Sequence, residues 1–326
     1  MIRRLYISGL APLMNEFVLS RKAAGAWSET YSDNLHGFDK YCFDNFPNQS
    51  ELVEGMLAWC NPRDSENGNS CRVRTTCVWN FVDYLREWNK TNIRSKRQKY
   101  VKDLSFAPHL FTDEELDQFF VECDRVCLSK CGRNKTLSTR LSALEIPVFF
   151  RLLRSSGLRT CEARWLNISD IDFTTGVVLV RKSKGGGQHR IVLHKSMLRL
   201  LNRYIKSLSR LMPESTLLFP DAKGHPHDPR WESYNFRDIW SRVSSESARA
   251  YDFRHLYATQ NIEAMEGVGC EMNGQLMFLA RSMGHSSPAM TCAYFHYIPI
   301  LHDKIERCSG DSFSNLLQNQ SCHGKN

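Results

Sequence analysis

The chain has 326 residues, 42% of them hydrophobic and 24% charged, which indicates a globular protein large enough for two domains. Its formal net charge of +8 favours a polyanionic partner, although solubility or binding to a membrane surface would also account for the charge. No apolar run approaches the roughly 20 residues of a membrane-spanning helix, and the first ten residues lack a sustained apolar core, so we expect a cytoplasmic protein with no signal peptide and no membrane partner.

Residues 1–93 are predicted to form a helical domain. Hydrophobic periodicity indicates four helices, over Leu13–Ala23, Thr30–Phe46, Glu51–Trp59 and Ser70–Trp88. The last of them has apolar side chains at helical spacing: Val73, Val78, Phe81, Val82 and Leu85. Judged by these residues alone, the four helices could serve only as a structural bundle.

A basic segment follows this domain. It carries five basic residues in nine, which are Arg94, Lys96, Arg97, Lys99 and Lys102. Linkers between domains are often charged, so the segment could be a solvated connection. Its charges could equally follow the phosphate backbone of a duplex held between two domains. The two interpretations are compatible, and we predict a linker over residues 94–106 that contacts DNA.

The second domain opens with a helix whose start is encoded locally. Thr112 is the predicted N-cap, and Glu115 stands three residues later, where its side chain can return to the Thr112 backbone. Along this helix Cys123, Cys127 and Cys131 recur every four residues. Thiols spread over two helical turns cannot converge on one metal ion, so we interpret them as part of a buried face. The 12 cysteines include no close Cys-x-x-Cys pair, which favours reduced thiols over disulfides.

The pattern then changes from helical to strand periodicity. A helix from Leu141 leads to Gly157. Three short strands are predicted after it, over Ile171–Phe173, Val177–Val180 and Ile191–Leu193. Helices resume over Met197–Ser209 and Trp231–Ser244. This order predicts an α+β domain that is mainly α, with a small antiparallel sheet, and the polar tail 309–326 is predicted to be disordered.

The most informative stretch lies near the end of the chain. An apolar helix that includes Leu279 and Met283 leads into Gly284 and His285. The Ser-Ser-Pro that follows is typical of a helix start. Tyr294, nine residues after His285, is therefore predicted to lie about two turns into the next helix.

Three earlier stretches give this pattern its weight: Gly157-Leu-Arg159-Thr-Cys-Glu162, Ser183-Lys184-Gly185 and Tyr251-Asp-Phe-Arg254-His255. None of them is specific singly. In this order, and together with Gly284-His285 and Tyr294, they resemble the active-site series of the tyrosine recombinases, the phage integrase family.

The resemblance implies a domain organisation and a function. We expect a helical core-binding domain on DNA over residues 1–93 and an integrase-type catalytic domain over residues 107–308. The implied activity is site-specific recombination through a 3′-phosphotyrosyl intermediate, which would integrate or excise a mobile element. The implied partners are double-stranded DNA, further copies in a DNA-bound tetramer on which Ile298–Arg307 would dock, and an accessory protein that bends DNA or sets direction. No cofactor and no metal are expected.

The resemblance also assigns roles to residues. Tyr294 would be the nucleophile, with Tyr297 as its competitor. Arg159 and Arg254 would clamp the scissile phosphate, because a guanidinium stays charged and matches two phosphate oxygens. Glu162 lies three residues after Arg159 and could hold its side chain in place.

Further side chains complete the implied site. Lys184 would donate a proton to the leaving 5′ oxygen from a glycine-rich turn, and Lys182 is its rival. These glycines do not form a P-loop, because the Gly-x4-Gly-Lys-Ser/Thr pattern is missing, so no nucleotide site is predicted. His285 would bond a phosphate oxygen or assist the nucleophile, and His255 would support the fold.

Tyr251 departs from the family pattern, which places a histidine at this position. A phenol can bond a phosphate oxygen, but it cannot act as a base near pH 7 as an imidazole can. Two alternatives therefore stay open: a type IB topoisomerase, which shares the chemistry, and a DNA-binding regulator without activity on the same fold. The helical front domain and the compact length argue against the topoisomerase.

Overall fold

The computed structural model describes residues 5–98, 108–130, 135–183, 187–265, 270–285, 287, 289–292 and 294. These residues form two compact units, one up to residue 98 and one from residue 108 on. Helices dominate both units, and a two-stranded antiparallel sheet belongs to the second, so the fold is of the predicted, mainly helical α+β class. Among the described helices, none combines the length and the apolarity needed to cross a membrane.

The first unit packs its helices around one apolar core. The helices are α1 (Ala11–Ala23), α2 (Glu29–Asn45) and α3 (Gly68–Glu87). Ser28 and Asn67 cap α2 and α3, because each side chain accepts a hydrogen bond from a backbone N–H three residues on. The rings of Phe17, Phe38 and Phe81 are buried between these helices.

Two details predicted for this unit are wrong. The helix expected over Glu51–Trp59 is a 3₁₀ helix over Glu54–Cys60, since the tighter winding suits a short connecting segment. Val73, expected on the apolar face of α3, is exposed. The buried stripe of α3 runs through Val78 and Leu85, and the helical rotation of about 100° per residue turns position 73 to the opposite side.

The described start of the predicted linker lies against the first unit. The Arg97 guanidinium donates to Asn80 Oδ1 on α3 at 2.9 Å. Arg94 and Lys96 are exposed beside it. Two further predicted DNA-binding residues lie outside the described residues: Lys99 and Lys102.

The second unit is organised around a central helix. Its helices are α4 (Asp113–Lys130), α5 (Leu137–Ser156), α6 (Thr160–Arg164), α7 (Lys195–Leu211), α8 (Pro229–Trp240), α9 (Asp252–Glu263), α10 (Cys270–Ser282) and α11 (Ala289–Cys292). Helix α5 contacts α4, α7 and α9. Its Phe150 packs against Phe119 of α4 and Phe253 of α9, so aromatic rings fill the middle of the unit.

The start of α4 is the predicted capping box. The Glu115 N–H donates to Thr112 Oγ1 at 3.1 Å, and the Thr112 N–H donates to Glu115 Oε2 at 3.0 Å. Cys123 is fully buried and Cys127 partly buried, which confirms the buried face, while Cys131 lies outside the described residues. In the described parts of the chain, no three His, Cys, Asp or Glu side chains stand where they could hold a metal ion.

The sheet has two strands in the described residues, although three were predicted. The strands are β1 (Val177–Val180) and β2 (His189–Val192). They pair antiparallel, with His189 opposite Val180. The predicted strand Ile171–Phe173 is reduced to one bridge between Ile171 and Val178. The Asp172 carboxylate accepts hydrogen bonds from the backbone N–H groups of Thr174 and Thr175. These hydrogen bonds form a turn where a strand was predicted.

Tyr294 lies close to its predicted place. Helix α11 is described over Ala289–Cys292, and the backbone of Tyr294 is 3₁₀-helical, while residue 293 lies outside the described residues. Its ring packs in a small apolar cluster with Ile262 of α9 and with Met283. Contacts with neighbouring helices therefore contribute, together with the local helix signals, to the position of this residue.

Candidate active site

Arg159 is held at a sharp break between two helices. Helix α5 ends at Gly157, whose φ of +63° is left-handed, and a Cβ there would lie 2.3 Å from the Tyr257 ring. The chain enters α6 at once, with Arg159 as its N-cap. The Arg159 N–H donates to Glu162 Oε2 at 2.8 Å, and its Nη1 donates to Oε1 at 2.6 Å. The buried Glu162 carboxylate thus fixes both the backbone and the side chain of Arg159.

Two distant segments complete the contacts of this arginine. Ser183, just after β1, donates from Oγ to Glu162 Oε1 at 2.7 Å and accepts from Arg159 Nη1 at 3.0 Å. Arg159 Nη2 donates to the Gly284 carbonyl at 3.2 Å. The hairpin and the turn after α10 therefore meet at the first predicted clamp residue.

Arg254, in the first turn of α9, is only 1% exposed although it carries a charge. Its Nη1 donates to the Gly157 carbonyl at 2.6 Å, and its Nη2 donates to the Met283 carbonyl at 2.6 Å. Glu162 Oε2 stands 4.0 Å from Nη1, too far for a hydrogen bond. Within the described residues, Nε has no partner. A buried guanidinium bonded mainly to neutral carbonyls keeps a positive potential, which favours an anion nearby.

His285 accepts a hydrogen bond from the same guanidinium. Arg254 Nη2 lies 2.9 Å from His285 Nε2, and a guanidinium can only donate. The imidazole therefore carries its proton on Nδ1, which donates to Thr291 Oγ1 at 2.7 Å. Burial, followed by the charges of Arg254 and Arg159, lowers the pKa of His285 to about 4, so the ring is neutral at pH 7.

The Tyr294 ring stacks beside this histidine. The two ring centroids are 6.1 Å apart and the planes differ by 12°. The residue is 6% exposed. Burial raises the pKa of the Tyr294 phenol, and the Arg254 guanidinium offsets part of that rise. A tyrosine, an arginine and a histidine from three separate stretches of sequence thus meet at one place.

Tyr251, at the start of α9, is 38% exposed. Its ring lies 5.3 Å from the His255 ring, whose centroid is in turn 5.4 Å from that of Tyr294. Burial lowers the pKa of His255, so this imidazole is also neutral at pH 7. An imidazole therefore still stands beside both phenols, one helical turn from the position where the family pattern expects a histidine.

The predicted site residues divide into three groups. The structure brings together Arg159, Glu162, Arg254, His285 and Tyr294, and it places Tyr251 and His255 beside them. Lys182 is described and exposed, whereas its rival Lys184 and the competing Tyr297 lie outside the described residues. The predicted DNA-binding residues that are described belong to the first unit: Arg94, Lys96 and Arg97.

Sequence reasoning missed His189, whose side chain is 6% exposed. Its Nε2 lies 3.9 Å from Glu162 Oε2, at the centre of the cluster. The predicted strand begins at Ile191 and leaves this histidine outside it. In the structure β2 begins at His189, and the strand period of two then directs positions 189, 191 and 193 inward. Extending the alternation of buried and exposed positions from Ile191 towards the N-terminus would have identified His189 as an inward-facing residue.

An open cleft of about 740 Å³ lies over this cluster. Its walls include Arg159, His189, His285, Arg190 and Arg281. None of the described residues that line it is acidic. A cleft lined by guanidinium and imidazole groups is suited to a phosphate-bearing ligand.

Comparisons with known proteins agree with this geometry. The model of the phage integrase family matches residues 111–299, which is more than half of the chain. The tyrosine recombinase XerC of Anoxybacillus flavithermus is 26% identical over 217 residues, which cover 61% of this chain and 65% of that protein. The chain thus spans about two thirds of the length of this relative.

Solved structures show the same fold. The XerH recombinase in a post-cleavage complex with a palindromic difH substrate matches with a TM-score of 0.61 at 19% identity, over 86% of this chain and 78% of that one. The Tn1549 transposon integrase in complex with transposon right end DNA matches with a TM-score of 0.63 at 14% identity, over 93% of this chain and 100% of that one. The chain belongs to the phage integrase family of tyrosine recombinases, which are DNA strand-transferring enzymes.

Proposed function

We propose that this protein recombines double-stranded DNA at specific sites through a covalent 3′-phosphotyrosyl bond to Tyr294. The proposal rests on one observation above all: Tyr294, Arg159, Arg254 and His285 converge, and no carboxylate in the described structure is hydrogen-bonded to Arg254. A phosphodiester would supply the anion that this cluster lacks.

The two arginines hold the scissile phosphate in the first step. Their planar guanidinium groups match the non-bridging oxygens and stabilise the negative charge that grows on them in the transition state. Glu162 keeps Arg159 in place through the two hydrogen bonds described above. His285 lines the same cleft, and its Nε2 accepts from the Arg254 guanidinium and so helps to hold it in place.

The Tyr294 oxygen attacks phosphorus, and the bond from phosphorus to O5′ breaks. Because burial raises its pKa, the Tyr294 phenol is protonated at pH 7 and loses its proton as it attacks. The neutral ring of His255 stands beside it as the acceptor of this proton. Tyr251, in place of the histidine usual in the family, donates a hydrogen bond to the phosphate.

Lys184 protonates the departing O5′, a role that comes from the family resemblance. In the second step the 5′ hydroxyl of the partner strand attacks the phosphotyrosyl phosphorus, a phosphodiester re-forms, and the phenol of Tyr294 is released with its proton. One bond to phosphorus forms for each that breaks, so the energy of the link is conserved. The reaction therefore needs neither ATP nor a metal ion.

The remaining assignments concern partners and context. We assign residues 1–93 as a core-binding domain and residues 107–308 as the catalytic domain, joined by a linker that follows the DNA backbone. The active assembly is a DNA-bound tetramer in which Ile298–Arg307 docks on a neighbouring copy, with an accessory DNA-bending protein. Integration and excision of a mobile element in the cytoplasm is the corresponding biological role.

Tyr294→Phe tests the nucleophile. On a nicked suicide duplex, chosen by selection from a random pool, the wild-type chain should accumulate a covalent protein–DNA adduct on a denaturing gel. Tyr294→Phe should form none while it binds the duplex with unchanged affinity, because the substitution removes a reactive hydroxyl and little packing. Tyr297→Phe is the matched control and should form the adduct at the wild-type rate. The opposite pattern would assign the nucleophile to Tyr297.

The same assay separates the alternatives. Cleavage in a chelator should equal cleavage in magnesium, and a strict metal requirement would move the protein towards the nucleases. Relaxation of supercoiled plasmid by a monomer, without strand exchange, would favour a type IB topoisomerase. Tight binding to selected DNA with no adduct on any nicked substrate would favour a DNA-binding regulator without activity, the alternative suggested by the tyrosine at position 251.

A further inference from the structure

His189 has a buried nitrogen whose bonding is incomplete. Its Nε2 lies 3.9 Å from Glu162 Oε2, which is about 1 Å longer than a hydrogen bond. Among the described residues, nothing bonds this nitrogen. An unpaired buried polar atom raises the free energy of the folded state, so its presence suggests a second state in which the atom is bonded.

The imidazole lies close to the turn that leads into His285. Gly284 in this turn has a φ of +63°, and a Cβ on that glycine would lie only 2.7 Å from His189 Nδ1. The backbone of His189 is fixed by pairing with Val180 across the sheet. The ring is therefore packed against this turn, with its Nε2 3.9 Å from the Glu162 carboxylate.

Charged groups from α6 and α9 act on the His189 ring. Arg159 and Glu162 face it from α6 and Arg254 faces it from α9, while the other titratable groups that line the cleft are Arg190, Arg281 and His285. Burial lowers the pKa of His189, Glu162 raises it, and the two guanidinium groups lower it again. Without a ligand the cluster of two arginines and one glutamate is positive, so the ring is neutral at pH 7.

A bound phosphodiester would shift the pKa of His189 in the opposite direction, towards the protonated form. It brings one negative charge to the arginines, and the transition state of strand transfer carries a second. An anion within about 4–6 Å shifts the pKa of a neighbouring base upwards by about 1–3 units. A shift of about 1 Å would then bring an imidazolium N–H to Glu162 Oε2 and complete a charge-assisted hydrogen bond.

We propose that His189 is a positioning residue: it takes up a proton from solvent when a phosphodiester occupies the cleft, and its imidazolium then closes onto Glu162. Glu162 already binds Arg159 and Ser183. Closure therefore ties both strands of the hairpin to the carboxylate that holds the first arginine of the clamp. The inference rests on the proposed function for its ligand, a DNA phosphodiester, but not on which tyrosine is the nucleophile.

Proton counting tests the inference directly. The full-length chain is titrated at pH 7 with the selected duplex in two buffers of different ionisation enthalpy, and the difference in heat gives the protons taken up on binding. The wild-type chain should take up as much as one proton more than His189→Gln, whose amide cannot be protonated. His225→Gln, at an exposed loop position before α8, is the matched control and should behave as wild type. Equal uptake by the wild type and His189→Gln would overturn the inference.

A second measurement leaves the chain unaltered. Carbon-13 labelled histidines are titrated by NMR with and without sulfate, a tetrahedral anion whose charge is constant over this pH range. Sulfate should raise the pKa of His189 by at least about one unit. A pKa that sulfate leaves unchanged would overturn the inference even if the glutamine variant failed to fold.

Single-turnover cleavage separates positioning from packing. The added contact exists only while His189 is protonated, so it is present at low pH and is lost as pH rises through the raised pKa. The wild-type rate should exceed that of His189→Gln by about tenfold or more at pH 6, and the two rates should converge at pH 9. A ratio that does not vary with pH would make His189 a packing residue. Proton uptake without any covalent adduct would instead refute strand transfer and leave the inference standing.

Discussion

Arg74 of the first unit and Arg254 of the second are both buried, and they accommodate their charge in different ways. Arg74, on α3, donates from Nε to Glu66 Oε2 at 2.9 Å, and its Nη2 bonds the other oxygen of the same carboxylate. The Trp59 and Asn61 carbonyls accept from the rest of the guanidinium. In the second unit, Arg254 bonds two carbonyls and a neutral imidazole, and the carboxylate of Glu162 stays 4.0 Å away.

The difference distinguishes an arginine whose charge is neutralised within the fold from one whose charge favours binding of an anion. A carboxylate bonded through both oxygens cancels the charge of Arg74, and the guanidinium also lies 4.7 Å from the centre of the Trp59 ring. Carbonyl dipoles satisfy some N–H groups of Arg254 but leave its net charge, which lies beside the raised-pKa phenol of Tyr294. Burial alone therefore does not reveal a functional arginine, because the buried Arg74 is bonded to a carboxylate within its own unit.

The largest effect should come from replacing Arg254 by lysine. Arg254→Lys should lower the single-turnover cleavage rate by about 1000-fold or more, because an ammonium cannot present two donors to a phosphate. Arg74→Lys is the matched control, and its folded fraction should cleave within a few-fold of wild type. Adduct formation on the suicide duplex measures both. Similar losses of cleavage in the two variants would show that the two arginines do not differ in function.

Removing the partner of Arg74 should act on stability. Glu66→Gln should lower the free energy of opening of the first unit by about 3 kcal/mol, because a buried guanidinium is left without its counter-ion. Hydrogen exchange of the α3 amides, measured by mass spectrometry in the full chain, reports this opening locally. Protection in α9 of the second unit is the internal control and should be unchanged.

The same pair predicts a dependence on pH. The hydrogen bonds from Arg74 lower the pKa of Glu66 from 4.5 to about 2 in the folded chain. A depressed carboxyl pKa stabilises the fold fully above the unfolded value, and the contribution is lost as pH falls from about 4.5 through 2. Protection of α3 in wild type should therefore fall towards that of Glu66→Gln across this window, and equal pH profiles would show that the pair is not stabilising.

An added anion should distinguish the two arginines by a smaller amount. Sulfate at ten times its dissociation constant should stabilise the wild-type chain by about 1.4 kcal/mol, because it binds the folded cleft. Thermal unfolding with sodium chloride of equal ionic strength is the control. Arg254→Lys should lose most of the effect and Arg74→Lys should keep it. Equal stabilisation of both variants would place the anion elsewhere.

The smallest effect should come from a third kind of arginine, at the surface. Arg151 meets both oxygens of the exposed Asp124 carboxylate at 2.8 Å, and solvent screens the pair. A double-mutant cycle with Asp124→Asn and Arg151→Gln should give a coupling energy below about 1 kcal/mol, and salt should reduce it further. A coupling as large as the effect of Glu66→Gln would show that geometry outweighs burial.

Local sequence determined those features that depend on neighbours along the chain. The Thr112–Glu115 capping box and the end of α5 at Gly157 follow from short-range hydrogen bonds and from the freedom of glycine at positive φ. The order of motifs also predicted that Arg159, Arg254, His285 and Tyr294 meet. These motifs can be recognised in the sequence because each lies at a helix end or a turn, and such features are encoded by neighbouring residues.

Tertiary structure decided what depends on contacts between distant segments. A side-chain turn replaces the predicted strand Ile171–Phe173, and the Tyr294 ring packs against Ile262 of α9 and against Met283. Nothing in the sequence marks Arg74 as hydrogen-bonded to a carboxylate and Arg254 as bonded to carbonyls, because their partners lie in other segments of the chain. The inward side chain of His189 depends likewise on where β2 begins, and that start is fixed by pairing with β1.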